Sequence, residues 1–437
     1  MTPELEERYG ERRERVMARF EDSDDVIFLR GSSQLEMTAD ITYWFRQEPN
    51  LQYLSGIQEP DAAMLLIPRE RKYILFAKEY SEMEQVVAGP KESLEELGNR
   101  YGADEVYPLH SLRDVVESYN PSAIHSVRGA GSPFRYKWRR LAQVLFDMRV
   151  VKDESEIVSI ESALDLTAEA FNLLMRNTLP GRNERELEAM VEYVWRANGA
   201  ELAFPSIVTG KGEILHSMGN GRELRENEML LVDIGCRTEG YCSDITRSWP
   251  VNGGFSPMQA DIYDIVLEAK RSALERVGPG VDFYDIHLRS EFIIARGLHD
   301  LGILKADPQM CVASGATRLF YLHSLGHWLG IEPHDCAEFV ATLDGSLMRS
   351  TLRENQVITL EPGVYFNTRI LSDEASQHRF KKFVDFERAF AFAEEVSGIR
   401  LEDDVLVTLD GGKVLGPGIP EEREELEELI GTGASLP

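Results

Sequence analysis

The stretch MLLVDIGCRTEGYCSDITRSW, residues 229–249, predicts a β-hairpin with one aspartate on each strand. Apolar and β-branched runs flank the turn-forming segment Arg237–Gly240. A symmetric turn at that segment places Asp233 directly opposite Asp244 on one face of the hairpin. Opposed, desolvated carboxylates destabilise a sheet, and a bound cation removes the conflict. For an isolated pair the alternative is that one or both aspartates point to solvent, because such pairs are common by chance.

Two more acidic residues interrupt strand-like runs further along the chain. Glu361 lies in the middle of VITLEPGVYF and Glu402 in GIRLEDDVLV, and glutamate is disfavoured in such strands. If these strands converge with the hairpin, four buried negative charges need about four positive ones. Two divalent metal ions supply that charge, so the four carboxylates together favour a dinuclear metal site.

A histidine cluster is the best candidate for a nitrogen ligand. It lies in YLHSLGHWLG, residues 321–330, and is followed by His334, so three of the nine histidines fall close together. A histidine in an apolar segment is often a core group, and the cluster alone leaves that interpretation open. Carboxylate oxygens with a single imidazole suit Mn²⁺, with Co²⁺ and Zn²⁺ as alternatives.

The length and the apolar pattern predict two domains in a mixed α/β chain. A chain of 437 residues exceeds the size at which one hydrophobic core usually stops growing. In the first part, the apolar runs VIFL, AAMLLIP and YILFA alternate with charged stretches, as in a sheet with intervening helices. From Lys152 to Asn198 apolar residues recur at helical spacing, interrupted at Pro180–Gly181. We therefore expect domains at residues 1–150 and 151–437.

Charge and composition exclude several classes of partner. The 47 Lys and Arg against 75 Asp and Glu give a net charge of −28, which opposes binding to nucleic acid or to anionic membranes. We find no apolar run long enough to span a membrane and no signal-like N-terminus, and the four cysteines form no C-x-x-C pair. A cytoplasmic location is expected. The sequence also contains no P-loop, no H-E-x-x-H and no G-x-S-x-G motif.

Five segments, in order and in spacing, resemble the metal-binding segments of the pita-bread metallopeptidases, family M24: LLVDIG, GYCSDITRSW, HSLGHWLG, TLEPGVY and GIRLEDDV. That family includes methionine aminopeptidase, proline dipeptidase and aminopeptidase P. Near the N-terminus, YWFRQ (43–47), NLQYLSG (50–56) and Glu59–Pro60 resemble the N-terminal domain of aminopeptidase P. The resemblance implies an aminopeptidase P-like N-terminal domain followed by a pita-bread catalytic domain. It also implies cleavage of the bond between an N-terminal residue and a following proline.

The resemblance further implies a set of metal ligands. Asp233 would bind one metal ion, Asp244 and Glu402 would bridge both, and His327 and Glu361 would complete the second coordination sphere. The metals would generate hydroxide from a bridging water for attack on the peptide carbonyl, and Glu361 would relay its proton.

The same resemblance assigns residues that contact the substrate. His216 and His334 match outer histidines that position the substrate and stabilise the tetrahedral intermediate, whereas His323, Tyr365 and Arg400 match positions that shape a proline pocket. Arg400 could also orient nearby carboxylates. Peptides with proline in second position are the implied substrates, and a homo-oligomer, either dimer or tetramer, is expected by analogy.

Two segments depart from the family pattern. Aminopeptidase P members often carry W-x-G-x-R where this chain has EMEQVVAGP, residues 82–90, which bears on contacts to distal substrate residues. Cys336–Ala337 stands after His334–Asp335 where Val-Gly is usual, and it bears on the rim of the site.

Two alternative functions stay open. A proline dipeptidase shares every metal ligand and differs in how the far end of the substrate is closed off. A catalytically silent or metal-free pita-bread protein is a different class, but such relatives lose ligands and all five are present here. Methionine aminopeptidase is disfavoured because it lacks a large N-terminal domain of this type.

Overall fold

The structure, a computed structural model, describes residues 3–127, 137–217, 221–336 and 350–433. The chain forms two compact units, Met1–Met148 and Arg149–Pro437. Both mix helices and strands, which confirms the expected α/β fold class.

A six-stranded sheet in the order β6-β5-β4-β1-β7-β8 is the centre of the first unit. Pairs β1–β4 and β4–β5 are antiparallel and the other pairs are parallel. The apolar runs of the sequence are strands β1, β4 and β5, and β4 is buried along its whole length. Strands β2 and β3 form a separate exposed hairpin. The strands are β1 (Val26–Arg30), β2 (Glu36–Thr38), β3 (Ile41–Thr42), β4 (Ala63–Ile67), β5 (Lys72–Ala77), β6 (Glu105–Pro108), β7 (Ala123–Ser126) and β8 (Lys137–Arg140).

Short helices connect these strands. Serine capping boxes begin α3 and α4, where Ser81 and Ser93 each accept the N–H of a glutamate three residues on. The helices are α1 (Pro3–Met17), α2 (Pro49–Ser55), α3 (Glu82–Ala88), α4 (Leu94–Tyr101), α5 (Leu112–Ser118) and α6 (Ala142–Arg149).

The first two helices of the second unit follow the helical spacing predicted for residues 152–198. The break expected at Pro180–Gly181 is confirmed, and Asp153 and Asn183 cap the two helices on either side of it. The helices are α7 (Glu154–Asn177), α8 (Glu184–Ala197), α9 (Pro257–Leu274), α10 (Phe283–Asp300), α11 (Pro308–Ser314), α12 (Thr368–Leu371), α13 (Glu374–Phe380), α14 (Phe386–Glu395) and α15 (Arg423–Leu429).

Several small antiparallel sheets complete the second unit. They are β10-β11-β14, β13-β12-β9, β15-β18-β19 and β16-β17. Trp328, Ile358 and Val405 are fully buried in a core that the last sheets share with α9 and α10. The strands are β9 (Glu201–Leu202), β10 (Ile207–Thr209), β11 (Met229–Ile234), β12 (Cys236–Thr238), β13 (Tyr241–Cys242), β14 (Ile245–Pro250), β15 (Val357–Leu360), β16 (Gly363–Tyr365), β17 (Gly398–Arg400), β18 (Asp403–Thr408) and β19 (Gly411–Val414).

The register of the acidic hairpin corrects the sequence prediction. Asp233 pairs with Thr246 rather than with Asp244, because the turn consists of Glu239 and Gly240 and is centred one residue later than the predicted turn. Those residues, Glu239 and Gly240, both have positive φ (49° and 89°), as a type I′ hairpin turn requires. Asp244 lies two residues before Thr246 and so stays on the same face as Asp233, diagonally across the hairpin.

The sequence predicted that Glu361 and Glu402 lie in the middle of strands, and this prediction is wrong. Glu361 falls between β15 and β16, and Glu402 between β17 and β18. Leu360 pairs with Asp403 and Gly363 with Arg400, so the two glutamates face each other where the ladder is interrupted. Their N–H groups instead donate to the carbonyls of Leu325 (2.7 Å) and Thr246 (2.9 Å), respectively. The interruption brings both acidic residues beside the hairpin.

A close backbone approach fixes the loop 210–217 against β17. A Cβ atom added to Gly398 would lie 2.4 Å from the carbonyl oxygen of Gly212. Ser397 and Asn367 reinforce the contact. Glu213 donates its backbone N–H to Ser397 Oγ (3.3 Å), and its backbone carbonyl oxygen accepts from Asn367 Nδ2 (3.0 Å). A side chain at Gly398 therefore displaces backbone.

We expect Gly398→Ala to lower the free energy of unfolding by about 1–3 kcal/mol, because the added methyl overpacks a backbone contact. Urea denaturation of the full chain measures the change. Gly254→Ala is the matched control, since a Cβ there meets no atom within 4 Å. Equal denaturation midpoints for the two variants would contradict the tight approach.

Candidate metal centre

The second unit contains a cavity of about 700 Å³ lined by most of the predicted site residues. Residues from the hairpin, from the histidine segment and from the two strand junctions meet there. The predicted site residues that line it are Asp233, Asp244, His327, Glu361, Glu402, His216, His334, His323 and Arg400. Tyr365 lies behind the wall, fully buried.

The predicted metal ligands converge around the imidazole of His327. Its Nε2 is 3.5 Å from Asp244 Oδ2 and 3.6 Å from Glu361 Oε1. One ligand atom each from Asp244, His327 and Glu402 lie within 4.8 Å of one another. His327 Nδ1 lies 3.2 Å from the carbonyl oxygen of Trp328, and donation to that oxygen leaves the Nε2 lone pair directed at the carboxylates. This arrangement suits one divalent cation.

The carboxylates are buried and crowd one another. Burial, and then Glu402, raise the pKa of Asp244 and of Glu361 well above their ordinary values. Burial, followed by Asp233, raises the pKa of Glu402 to about 8. Burial also lowers the pKa of His327 to about 4, so its imidazole is neutral and available as a ligand. Bound cations favour the charged carboxylates and therefore lower the pKa values that burial has raised.

The two carboxylate oxygens of Asp233 have different surroundings. Arg400 Nη2 forms an ion pair with Asp233 Oδ2. Asp233 Oδ1 is buried, and among the residues that the structure describes it has no hydrogen-bond partner. A buried carboxylate oxygen without a donor is costly, and a metal ion satisfies it. The residues present thus fit a divalent metal centre.

Thr246 and Asp404 belong to the site but were missed by the sequence analysis. Thr246 Oγ1 donates to Glu402 Oε2 (2.6 Å) and accepts from Arg400 Nε (3.0 Å), so it holds both side chains. Asp404 accepts the backbone N–H of Asp244 (3.0 Å) while fully buried. The position of Thr246, two residues after Asp244 on the same strand face, was a usable signal. No local pattern marked Asp404.

His323, Tyr365 and Arg400 form one hydrogen-bonded chain. Arg400 Nη1 donates to the Tyr365 hydroxyl (3.1 Å), which lies 2.6 Å from His323 Nε2. His323 Nδ1 lies 2.7 Å from the carbonyl oxygen of Ser324 and donates to it, so Nε2 accepts from Tyr365. Burial, and then Arg400, lower the pKa of His323 to about 3, which keeps the ring neutral. The three predicted pocket residues therefore fix one another.

The outer histidines occupy different positions in the cavity. The ring of His334 stacks on His327 with centroids 4.0 Å apart. His216 is exposed on the loop 210–217. An apolar wall completes the cavity, formed by Phe204, Pro205, Ile207, Leu215 and Pro333. The cavity thus combines a charged floor with an apolar side suited to a hydrophobic ligand group.

Residues 159–409, more than half of the chain, match metallopeptidase family M24, and residues 9–125 match the aminopeptidase P N-terminal domain. The chain belongs to metallopeptidase family M24. An N-terminal domain of the aminopeptidase P type followed by a pita-bread domain confirms the fold inferred from the five segments. Within this family the chain is a hydrolase of the aminopeptidase P type, a metal-dependent aminopeptidase.

Full-length relatives support this membership. A Haemophilus influenzae Xaa-Pro aminopeptidase is 31% identical, with 97% of each chain covered. Among solved structures, Pseudomonas aeruginosa aminopeptidase PepP has a TM-score of 0.86 at 30% identity, again with 97% of each chain covered. A zinc-substituted Escherichia coli aminopeptidase P in complex with product has a TM-score of 0.85 at 26% identity, covering 97% of this chain and 98% of that one.

The segments that depart from the family pattern are only partly described. Residues 82–90 contain α3, whose apolar residues Met83, Val86 and Val87 are all exposed. Cys336 is buried, and Ala337 lies outside the described residues. Within the described ranges no helix is long and apolar enough to cross a membrane.

Loss of a central carboxylate tests the metal centre. We expect Asp244→Ala to lose bound divalent metal, because its carboxylate lies among His327, Glu361 and Glu402. Elemental analysis of the purified full chain measures metal content. Asp264→Ala, which replaces an exposed aspartate on α9, is the control. The metal content of the wild type retained in Asp244→Ala would contradict the assignment.

The stacked histidines are expected to differ in function. His327→Ala should weaken metal binding, because Nε2 faces the carboxylates. His334→Ala should keep its metal and lose about 10²-fold in kcat, because its ring stacks on that of His327 and lines the cavity, where it can contact the substrate. Metal titration and steady-state kinetics separate the two effects. Equal metal affinity and equal activity in both variants would refute this division.

Proposed function

We propose that the chain is an Xaa-Pro aminopeptidase that holds two divalent metal ions, with Mn²⁺ favoured and Co²⁺ or Zn²⁺ possible. The convergence of four buried carboxylates and one neutral imidazole on a single cavity carries the proposal. The match of residues 9–125 to the aminopeptidase P N-terminal domain supports the substrate class.

The geometry supports a division of ligands between two metals. Asp233, whose Oδ1 has no donor among the described residues, would hold one ion, Asp244 and Glu402 would be shared by both, and His327 with Glu361 would hold the second. When bound, two divalent ions lower the pKa of a water held between them and make hydroxide available at neutral pH for attack on the peptide carbonyl.

The protein's own residues handle protons and developing charge. Glu361 lies beside the ligand cluster and lines the cavity, so its carboxylate can take up a proton and deliver it to the leaving amine. His334 and His216 line the same cavity and can donate hydrogen bonds to the carbonyl oxygen as it becomes negative.

The proline pocket is proposed at the chain His323–Tyr365–Arg400. A peptide bond before proline has no N–H, and the proline ring fixes φ near −65°, so shape must replace the missing hydrogen bond. The three side chains are held rigidly by their mutual hydrogen bonds. Ile207 and Leu215 on the apolar wall offer a surface for the pyrrolidine ring.

Location and assembly are further proposals. A reducing cytoplasm is proposed because four cysteines are too few to cross-link a chain of 437 residues. Self-association into a dimer or tetramer is proposed from family resemblance.

Substrate length tests the proposed function. We expect X-Pro-Y tripeptides to be cleaved with higher kcat/KM than X-Pro dipeptides, because an aminopeptidase leaves space beyond proline. Replacing proline by alanine should cost at least tenfold in kcat/KM, about 1.4 kcal/mol of transition-state binding. Steady-state kinetics of the metal-reconstituted chain measure both ratios. A preference for dipeptides would indicate a proline dipeptidase, and indifference to proline would overturn the pocket assignment.

A further inference from the structure

His287, on α10, lies outside the cavity and was not marked by any sequence motif. It is nevertheless buried, and its Nδ1 lies 3.2 Å from the backbone nitrogen of Leu325. Nδ1 accepts that N–H, because a backbone nitrogen can only donate. Leu325 is itself fully buried, so its N–H depends on this acceptor for satisfaction.

Leu325 connects two parts of the metal centre. Its carbonyl oxygen accepts the N–H of Glu361 at 2.7 Å, and it stands midway between His323 and His327 in the chain. The hydrogen bond from Leu325 to His287 therefore fixes a peptide segment that contacts two predicted ligands. Leu325 bonds directly to the backbone of Glu361, and His327 follows Leu325 by two residues.

The ladder beyond Leu325 continues this connection. His327 donates its N–H to Thr359 Oγ1 (3.0 Å), and its carbonyl accepts the N–H of Thr359 (2.8 Å). Leu325 and His327 thus run beside β15 up to Glu361. A shift at Leu325 changes the separation of the His327 imidazole and the Glu361 carboxylate, now 3.6 Å.

Ring contacts give His287 a second route to the cavity. Its ring centroid lies 5.4 Å from that of Tyr321, which meets His323 edge-on at 5.4 Å. Burial, and then Arg318, lower the pKa of His287 to about 4, so the ring is neutral. With Nδ1 accepting, Nε2 carries the proton and faces Glu291 Oε2 at 3.8 Å.

We propose that His287 is a positioning residue for the peptidase site: by accepting the Leu325 N–H it sets the geometry of His327 and Glu361. The proposal rests on the proposed function only where it predicts a change in peptidase activity. Its effect on the metal centre is independent of which peptide is cleaved.

Substitutions at His287 separate the hydrogen bond from the packing. His287→Phe keeps a ring against Tyr321 and removes the acceptor. His287→Asn places an amide oxygen near the position of Nδ1, whereas His287→Gln carries its amide on to the position of Nε2. His299→Phe on the exposed side of α10 is the matched control.

We expect His287→Phe to lower kcat for an X-Pro-Y tripeptide by about 30-fold with KM changed less than about threefold, because transition-state geometry is lost while the binding surface remains. The visible absorption of the Co²⁺-reconstituted chain should also change, since it reports ligand geometry. His287→Asn should recover kcat to within about threefold of wild type, and His299→Phe should match wild type.

A wild-type Co²⁺ spectrum and kcat in His287→Phe would overturn the proposal, as would an Asn variant no better than Phe. If His287→Phe fails to fold, Asn against Gln decides, and equal kcat in those two variants overturns the proposal. Absence of wild-type activity on proline peptides would overturn the proposed function alone, because the Co²⁺ spectra still report on His287.

Discussion

Burial of four carboxylates around one cavity is the constraint on which the second unit depends. Burial raises the pKa of Asp244, Glu361 and Glu402, and neighbouring carboxylates raise each of these pKa values further. Among the described residues, the cationic side chain that contacts these four carboxylates is Arg400, which forms an ion pair with Asp233. Metal ions convert a destabilising cluster into a stabilising one, so folding of the site and metal binding are thermodynamically linked.

Beneath the cavity, a second charged layer holds the ligands in place. Arg247 donates to the carbonyl of Thr246 (3.0 Å) and forms an ion pair with Asp403 (2.6 Å), which Lys270 also contacts. Although Asp403 is buried, Arg247 and Lys270 outweigh burial and lower its pKa. Asp403 is therefore permanently charged and paired, unlike its neighbour Glu402. Adjacent acidic residues thus have different roles, one structural and one directed at the cavity.

The acidic side chains that the sequence marked extend over 169 residues, from Asp233 to Glu402 (402 − 233 = 169), and interrupted strands bring them together. The sheet ladder breaks at Glu361 and Glu402, and the freed backbone groups bond to Leu325 and Thr246 instead. Each glutamate is thereby held by a backbone hydrogen bond to a segment that carries another predicted site residue. Such cross-connections give a metal site its fixed geometry more effectively than packing alone.

The sequence by itself determined the α/β class, the helix break at Pro180–Gly181 and the acidic residues that require cations, because hydrophobic period and misplaced charge are local signals. Family resemblance supplied the site residues. Only the tertiary structure decided that Asp233 pairs with Thr246, since the position of the turn depends on which residues adopt positive φ, here Glu239 and Gly240. It alone placed both glutamates at strand junctions and brought Asp404 and His287 to the site, because those contacts join segments that no local pattern relates.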